Sequence, residues 1–406
     1  MSVLVFNAGS STLKFSLFAG RSGELAAEGI VEEPPAEAGG SDVRRPRATL
    51  RARRTGEPGE RSVALESGLA DAVRAVLDAI RGDLASDPVV AVGHRVVHGG
   101  RTFTGSVLID PRVVAEIARL SDLAPLHNPP ALAAIGTARA AIPGVPHVAA
   151  FDTAFFADLP PDHHVYPLPY DWYAERGIRR FGFHGISHAY CAGRAAGFLG
   201  RQRERFRTVT CHLGNGCSAA AARGGQAVAT TMGFTPLEGL MMGSRSGSVD
   251  PGILLYALER MGLSAEELGE ILQRRSGLWG VSGISSDFRT VQSAGKDGHA
   301  RAQLALGIYA NSVRAAIGSL AVALGGVDAL IFTAGVGENA ADLREEVCGG
   351  LECLGLRLDP VRNRTMRPDA DIAASDSSGR ILILHTREDL HIAREALRVA
   401  GLAGSQ

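Results

Sequence analysis

The 406-residue chain has almost no lysine: Lys14 and Lys296 are the only two, and arginine supplies the other 40 of its 42 basic side chains. Against 43 acidic residues the formal net charge is −1. No overall field therefore draws the protein to nucleic acid or to an acidic membrane surface, and neither is expected as a partner. A chain that uses arginine by default but keeps Lys14 points to a need for a compact ammonium there. Cysteine is also sparse. Cys191, Cys211, Cys217, Cys348 and Cys353 are odd in number and never spaced C-x-x-C. That argues against a disulfide framework or a zinc site and fits a reducing, cytoplasmic setting. No run reaches the roughly 20 apolar residues of a spanning helix. The most apolar helical stretch, 302–324, carries Arg314 and reads as a buried helix. The opening Met1-Ser-Val-Leu-Val-Phe6 lacks a basic region and a cleavage site, so no signal peptide is expected.

Glycine is what the chain has in excess, 50 residues or about 12% against a typical 7%. It gathers in short turns rather than in a repeat. At roughly 100–200 residues per domain the length calls for two or three domains. Val3-Leu-Val-Phe6 reads as a strand, Asn7-Ala-Gly-Ser10 as a turn and 13–17 as a second strand. A hairpin is expected over 48–65 around Gly56-Glu-Pro-Gly59. The arginines 44, 45, 47, 51, 53 and 54 read as the solvated face of that hairpin, because Asp42, Glu57 and Glu60 offset them and no aromatics interleave. A buried-type strand over 89–97 carries Arg95. Helices follow at 111–120 and 130–141, and a strand over 147–151 ends at Asp152. The opening theme then returns: strand 208–212, turn Leu213-Gly-Asn-Gly216, strand 217–222. The two hairpins lie 208 residues apart at Asn7 and Asn215, which suggests two related halves. A strand over 329–333 runs through Ala334-Gly-Val-Gly337 into a helix opened by Glu338. The last strand is 380–385 and the last helix 388–399. Strands alternating with helices make the fold class α/β.

Three glycine turns follow buried strands, at Asn7, at Leu213 and at Gly335-Val-Gly-Glu-Asn339. Such turns let backbone N–H groups approach a phosphate. With Ser10, Ser11, Thr12 and Lys14 beside the first, phosphate binding is the expectation. No Walker sequence is present, which excludes a P-loop enzyme, and the lack of a G-x-G-x-x-G after the first strand speaks against a Rossmann dehydrogenase. Arg95 and Arg245 stand out among the arginines because glycines and apolar residues surround them, where an idle charge is costly. Asp152 either positions a metal or nucleophile or caps the next turn. Glu388 invites the same capping reading. His184 and His188 are spaced i, i+4, but the glutamate of H-E-x-x-H is missing, so His184 reads as a donor aimed into a dry pocket rather than as a zinc ligand.

Asn7-Ala-Gly-Ser-Ser-Thr-Leu-Lys14 resembles the opening signature of the acetate kinase family. So do His94-Arg-Val-Val-His-Gly-Gly100, Leu123-Ala-Pro-Leu-His-Asn-Pro-Pro130, Phe151-Asp-Thr-Ala-Phe155, Arg180-Phe-Gly-Phe-His-Gly-Ile-Ser-His188, His212-Leu-Gly-Asn-Gly216, Ser285-Ser-Asp-Phe-Arg289 and Phe332-Thr-Ala-Gly-Val-Gly-Glu-Asn339. The most specific block is Thr231-Met-Gly-Phe-Thr-Pro-Leu-Glu-Gly-Leu-Met-Met-Gly-Ser-Arg245. These motifs span nearly the whole chain in the family's order. The resemblance implies a two-domain actin-like ATPase fold, each domain on a ribonuclease-H-like mixed sheet with flanking helices. Residues 1–152 plus 389–406 would form one domain and 153–388 a second, nucleotide-binding and dimerising one. It implies reversible phosphoryl transfer between ATP and acetate, giving acetyl phosphate and ADP, with Mg²⁺ or Mn²⁺, in a homodimer.

Carried over by motif, Arg95 and Arg245 would hold the substrate carboxylate and the transferring phosphoryl group. His184 would bond its equatorial oxygens, and Asp152 would orient the carboxylate or help place the metal. Asn7 and Glu388 would support the metal. Lys14, His212, Leu213, Gly214, Asn215, Gly216, Asp287, Phe288, Arg289, Gly335, Val336, Gly337, Glu338 and Asn339 would line the nucleotide site, and Val97, Leu126, Phe183 and Pro236 the acyl pocket. Three places depart from the pattern: Phe156 where His is usual, Ala131 where Asn is usual, and His385-Thr-Arg-Glu388 in place of Pro-Thr-Asp/Asn-Glu. A propionate or butyrate preference, pyrophosphate as donor, and an idle nucleotide-binding clamp stay open as alternatives. A sugar kinase of the same superfamily would want an aspartate base and a polar pocket, and the apolar set speaks against it.

Overall fold

Hairpin-forming runs of apolar residues build the first sheet. The computed structural model describes residues 1–9, 12–19, 23–32, 48–55, 61–65 and 69–402. Ser10, Ser11, the arginines 44, 45 and 47 and the turn at 56–59 lie outside the described residues. Two compact units divide the chain, Met1–Ala154 with Arg387–Gln406, and Phe155–Thr386.

In the first unit the strands are β1 (Ser2–Ala8), β2 (Thr12–Ala19), β3 (Glu24–Glu32), β4 (Ala48–Arg54), β5 (Arg61–Leu65), β6 (Val89–Val96), β7 (Val107–Leu108) and β8 (His147–Phe151). Their order is β5-β4-β3-β2-β1-β6-β8-β7. β1 to β5 form an antiparallel meander, and β6 and β8 join parallel to β1. Val3 to Phe6 and all of β8 are buried, as continuous apolar runs in a sheet covered on both faces should be. Helices Leu69–Ala79 and Asn128–Ala141 close one face through Val73, Val76, Ala134 and Ala138 against Leu4, Phe6 and Phe15. The last helix, Glu388–Val399, packs on β1, β6 and β8. Its closeness depends on Gly93, where a Cβ would stand 2.5 Å from Ile392 Cγ2. Ser16 Oγ donates to Asp389 Oδ2 at 2.7 Å. These two contacts hold the first turn of that helix and so fix Glu388.

Two local expectations are corrected here. Asn7 is a strand residue paired with Lys14 across the β1–β2 hairpin, and not part of the turn. The ladder runs on because Ala8 is still buried apolar surface. The helix expected over 130–141 begins at Asn128 rather than Pro130, because the Asn128 side chain exchanges two hydrogen bonds with the His98 backbone, 3.1 Å each.

The second unit holds β9 (Arg207–Leu213), β10 (Cys217–Arg223), β11 (Gln226–Thr230), β12 (Ala329–Thr333), β13 (Ala370–Asp371) and β14 (Arg380–Ile383), in the order β11-β10-β9-β12-β14-β13. The run β11-β10-β9-β12-β14 repeats the layout β3-β2-β1-β6-β8: an antiparallel meander with two strands added parallel to its first member. The repeated hairpin in the sequence is thus a repeated sheet.

Helix Ala300–Leu324 crosses this sheet, burying Ala305, Tyr309, Val313, Ile317 and Leu320. It is buried on one face only; Leu304, Ile308 and Val322 are exposed. By length and composition it is apolar enough to cross a membrane, yet its buried face is committed to β9, β10 and β11. No disulfide joins any two of the five cysteines, all of which are among the described residues. After β12 the chain goes straight into a six-residue helix, Ala334–Asn339. Glu338 does not open a helix but lies inside this one, and its Oε1 accepts from Ala334 N at 3.0 Å. The glycines of this third turn are helical because that carboxylate satisfies the first exposed N–H.

Candidate active-site clusters

In the first unit parallel strands β6 and β8 end side by side and place Arg95 next to Asp152. The pair is bidentate: Nε to Oδ1 at 3.2 Å and Nη2 to Oδ2 at 2.7 Å. Asp152 is 1% exposed and Arg95 19%, a charge pair largely removed from water. Nη1 of Arg95 donates to Asn7 Oδ1 at 3.3 Å and lies 3.7 Å from Glu388 Oε2. Burial opposes the charge on Arg95, but Asp152, then Glu388, then the hydrogen bond to Asp152 outweigh it and hold its pKa above the ordinary value. Glu388 does not cap its helix; Arg387 occupies the N-cap and no side chain bonds there. Strand end, strand end, hairpin and helix start therefore deliver Arg95, Asp152, Asn7 and Glu388 to one point. Val97 and Leu126 belong to this unit too, half-buried and 40% exposed respectively.

The second unit carries the other cluster. His184 stands in the left-handed region, φ 56° and ψ 25°, directly before helix Gly185–Phe198. That conformation is uncommon outside glycine and asparagine, and collects at functional sites. The His184 and His212 rings stack at 4.3 Å. His212 Nδ1 is 2.8 Å from Ser187 Oγ, which is 2.9 Å from Thr386 Oγ1. A Cβ on Gly216 would lie 3.4 Å from His184 Nε2 and 3.5 Å from Arg245 Nη1, so both side chains reach the same glycine. Arg245 donates to Pro236 O at 3.1 Å and approaches Met242 Sδ at 3.7 Å. Burial pulls its pKa below the ordinary value, with the Cys217 thiol opposing. Among the described residues no carboxylate pairs with it. The loop that bears Pro236 and Arg245 is anchored by Glu238, which accepts from Arg180 Nη2 at 2.6 Å and from the Tyr166 hydroxyl. Arg180 also donates to Thr231 O and Met232 O, at 3.2 and 2.9 Å. Phe183 is buried and Pro236 half-buried in this unit.

The Leu213–Gly216 turn gathers most of the nucleotide candidates. Gly243 N donates to Asn215 O at 3.0 Å, and Gly243 abuts the carbonyl of Ser286, next to Asp287. Gly337 packs against Leu213. Glycines 335 and 337 and Val336 are thus carried to the same end of β9. Several side chains in the set are already engaged. Arg289 doubles onto Asp287, at 3.2 and 2.7 Å, and that bond holds the Asp287 carboxyl at about 2. Phe288 is a core residue 5.6 Å from the Tyr309 ring. Asn339 Nδ2 donates to Gly335 O at 2.8 Å. Glu338 Oε1 accepts from Thr386 N at 3.2 Å, and its Oε2 meets His385 Nδ1 at 2.7 Å. This accounts for His385, one of the three departures: it ties the glycine segment to the chain that leads to Glu388. Lys14 belongs to the first unit.

Some residues of these clusters escaped the sequence. Ser218 and His188 hold His184 from behind, as described below. Arg344, 2% exposed, donates to the carbonyls of Gly337 and Glu338 at 2.8 and 2.9 Å and to Asn363 Oδ1 at 2.8 Å. It satisfies the C-terminal carbonyls of the glycine helix. Phe156 and Ala131, the other departures, are core residues: Phe156 is fully buried beside His188, and Ala131 packs with Val96 and Ile135. Among the described residues no three metal-ligating side chains of His, Cys, Asp or Glu come together.

Known proteins resemble this chain over nearly its whole length. Residues 2–394 match the Acetokinase family. The chain is 50% identical to a Gloeobacter violaceus protein named acetate kinase, over 97% of this chain and 98% of that one. The crystal structure of Porphyromonas gingivalis acetate kinase superposes with a TM-score of 0.88 at 39% identity, covering 98% and 99% of the two chains. A propionate kinase from Francisella tularensis gives 0.89 at 34% identity, with the same coverage. The two repeated α/β sheets are those of the actin-like ATPase fold, and the chain belongs to the Acetokinase family.

Proposed function

We propose that this protein is an acetate kinase, transferring the γ-phosphoryl group of ATP to acetate and running the reverse reaction. The observation that carries the reading is Arg245: a half-buried guanidinium with no carboxylate partner among the described residues, reaching the same glycine as His184 Nε2. A desolvated cation beside an imidazole edge is complementary to a phosphoryl group whose charge spreads over three equatorial oxygens in the transition state.

The chemistry asks little else. A carboxylate oxygen of the substrate is already a nucleophile. It forms a new bond to phosphorus as the bond to the bridging oxygen breaks, and that electron pair leaves with ADP. No proton is removed, so no general base is needed, and Asp152 can be spent on holding Arg95. Arg95 would then orient the substrate carboxylate, its fork fixed by Asp152. Val97, Leu126, Phe183 and Pro236 would take the methyl group. The residues called for a divalent metal fit one: Asn7 Oδ1 and Glu388 Oε2 are hard oxygens that reach the same nitrogen of Arg95. Few protein oxygens plus substrate phosphates is the usual setting of Mg²⁺ or Mn²⁺. Bound there, the ion would neutralise phosphate charge. Nucleotide contacts would fall to the backbone around Leu213–Gly216 and Gly335–Gly337 and to His212, more than to the engaged side chains of Glu338, Asn339 and Arg289.

The test is acyl phosphate trapped with hydroxylamine, with acetate, propionate and butyrate in parallel and with ATP or pyrophosphate as donor. The highest kcat/KM is expected for acetate with ATP and Mg²⁺. Formation of no acyl phosphate from any acid and donor would overturn the reading.

A homodimer belongs to the same proposal. Helix Pro251–Glu259 buries only Ala257, while Ile253, Leu255 and Tyr256 are 57, 58 and 61% exposed. A helix apolar on its open side calls for a second copy. Sedimentation equilibrium should give twice the 42.4 kDa chain mass; a monomer at micromolar concentration would refute this part.

A further inference from the structure

Ser218, on β10, lies between two imidazoles. Its Oγ is 2.9 Å from His184 Nδ1 and 2.7 Å from His188 Nε2. Ser218 and His188 are fully buried. A hydroxyl carries one proton, so Ser218 donates to one ring and accepts from the other. The direction of this short chain decides which nitrogen of each imidazole carries its proton.

His188 Nδ1 decides the direction, because it is buried with no hydrogen-bond partner among the described residues. If Ser218 donated to His188 Nε2, the proton of a neutral His188 would sit on Nδ1 as a buried, unpaired N–H. Orphaned buried N–H groups are rare and costly. In the opposite direction only a lone pair is left over, which is the milder defect. The ring is held neutral: burial first, and then the neighbouring His212, push its pKa well below the ordinary histidine value. Phe156, one of the residues that departs from the family pattern, lies edge-on to it at 5.9 Å and offers Nδ1 no polar atom.

We propose that the buried relay from His188 Nε2–H to Ser218 Oγ–H to His184 Nδ1 fixes His184 as the tautomer with its proton on Nε2, a ready-made donor on the side of Gly216 and Arg245. His184 touches the reacting group on the reading given above, on which this inference rests; Ser218 and His188 are positioning residues. The proton on Nε2 needs no rearrangement when phosphoryl charge develops. The His212 ring stacked on His184 limits how it can turn.

The tautomer can be read directly in the full-length protein with ¹⁵N-labelled histidine, by long-range ¹H–¹⁵N correlation, without substrate. Wild type is expected to show His184 protonated on Nε2. In Ser218→Ala an Nδ1-protonated population should appear, and kcat should fall about 10- to 100-fold, the range for losing an outer partner of a functional imidazole, with the acetate KM unchanged. Ser218→Thr, which keeps the hydroxyl, should restore both. His184 protonated on Nδ1 in wild type overturns the relay, as does a Ser218→Ala protein with unchanged tautomer and kcat. Because the tautomer is read without turnover, the relay and the kinase reading fail separately: absence of acyl phosphate from wild type removes the second and leaves the first to the spectrum.

Discussion

Arg245→Ala is expected to lower kcat for acetyl phosphate formation about 10²–10³-fold, the usual loss when one charge-stabilising contact to a transition state is removed, and to leave the melting temperature unchanged or slightly raised. The two halves of this expectation come from the same fact. The guanidinium is bonded to a backbone carbonyl, Pro236 O, and to a sulfur, and burial disfavours its charge. Folding therefore gains little from Arg245 and bears its desolvation. Removing it strands no carboxylate; it frees one carbonyl in a loop that Glu238, Tyr166 and Arg180 still hold. What is lost is the cation proposed above to meet the phosphoryl group. If that contact strengthens in the transition state, kcat falls more than the KM for either substrate rises. Arg245→Lys should recover only part of the rate, since an ammonium keeps the charge but not the fork. Steady-state kinetics beside a thermal melt check both halves. A wild-type kcat would remove Arg245 from the reaction, and a clear drop in melting temperature would make it a structural residue.

The parts of this site that were legible in the sequence are those where local pattern and chemistry coincide. A continuous apolar run carries Arg95 near its end and another ends at Asp152, so two buried strands with a charged residue each could be read before any pairing was known. The hairpins at Asn7 and Asn215 announced two similar sheets. Legibility stopped where the partner is distant along the chain. Glu238 reads as one acidic residue in a glycine-rich block; that it gathers Tyr166, 72 residues away, and Arg180 is a tertiary fact. Arg344 looks like any of 40 arginines, and only the fold turns it onto the carbonyls of Gly337 and Glu338. His188 was legible as a histidine four residues from His184, and without the glutamate of H-E-x-x-H that spacing speaks against a shared metal, but nothing in it tells that the two share the hydroxyl of Ser218. Glu338 was misplaced at a helix start because a carboxylate near a glycine turn usually caps forward. Here it reaches back four residues to Ala334 and sideways to His385. Periodicity and propensity carry no signal for any of these choices.

Arg95 should behave in the opposite way to Arg245, losing stability and activity together. Its truncation to alanine leaves Asp152, 1% exposed, as a buried carboxylate without its bidentate partner. Breaking a buried pair from one side costs about 3–5 kcal/mol, most of it the stranded charge. Asp152→Asn is the gentler change. Arg95 keeps Asn7 and Glu388 and part of its access to water, and asparagine can still accept one hydrogen bond. The double replacement R95A/D152N removes both charges and should regain most of the stability lost in Arg95→Ala, so the pair should show an interaction energy of about 2–3 kcal/mol in a double-mutant cycle. Activity should not follow. On the role proposed for Arg95, all three variants lack either the fork that would orient the substrate carboxylate or the group that holds that fork, and each should fall about 10²–10³-fold in kcat/KM. Urea midpoints for wild type and the three variants, with acyl phosphate assays on the same preparations, separate the two effects. An interaction energy near zero would mean that the bidentate contact contributes nothing to the fold. Recovery of activity in the double variant would mean that Arg95 serves only to neutralise Asp152. Stability restored while catalysis stays lost is the outcome that follows from an arginine placed at a strand end to present its charge to a substrate, with a buried aspartate spent on keeping it there.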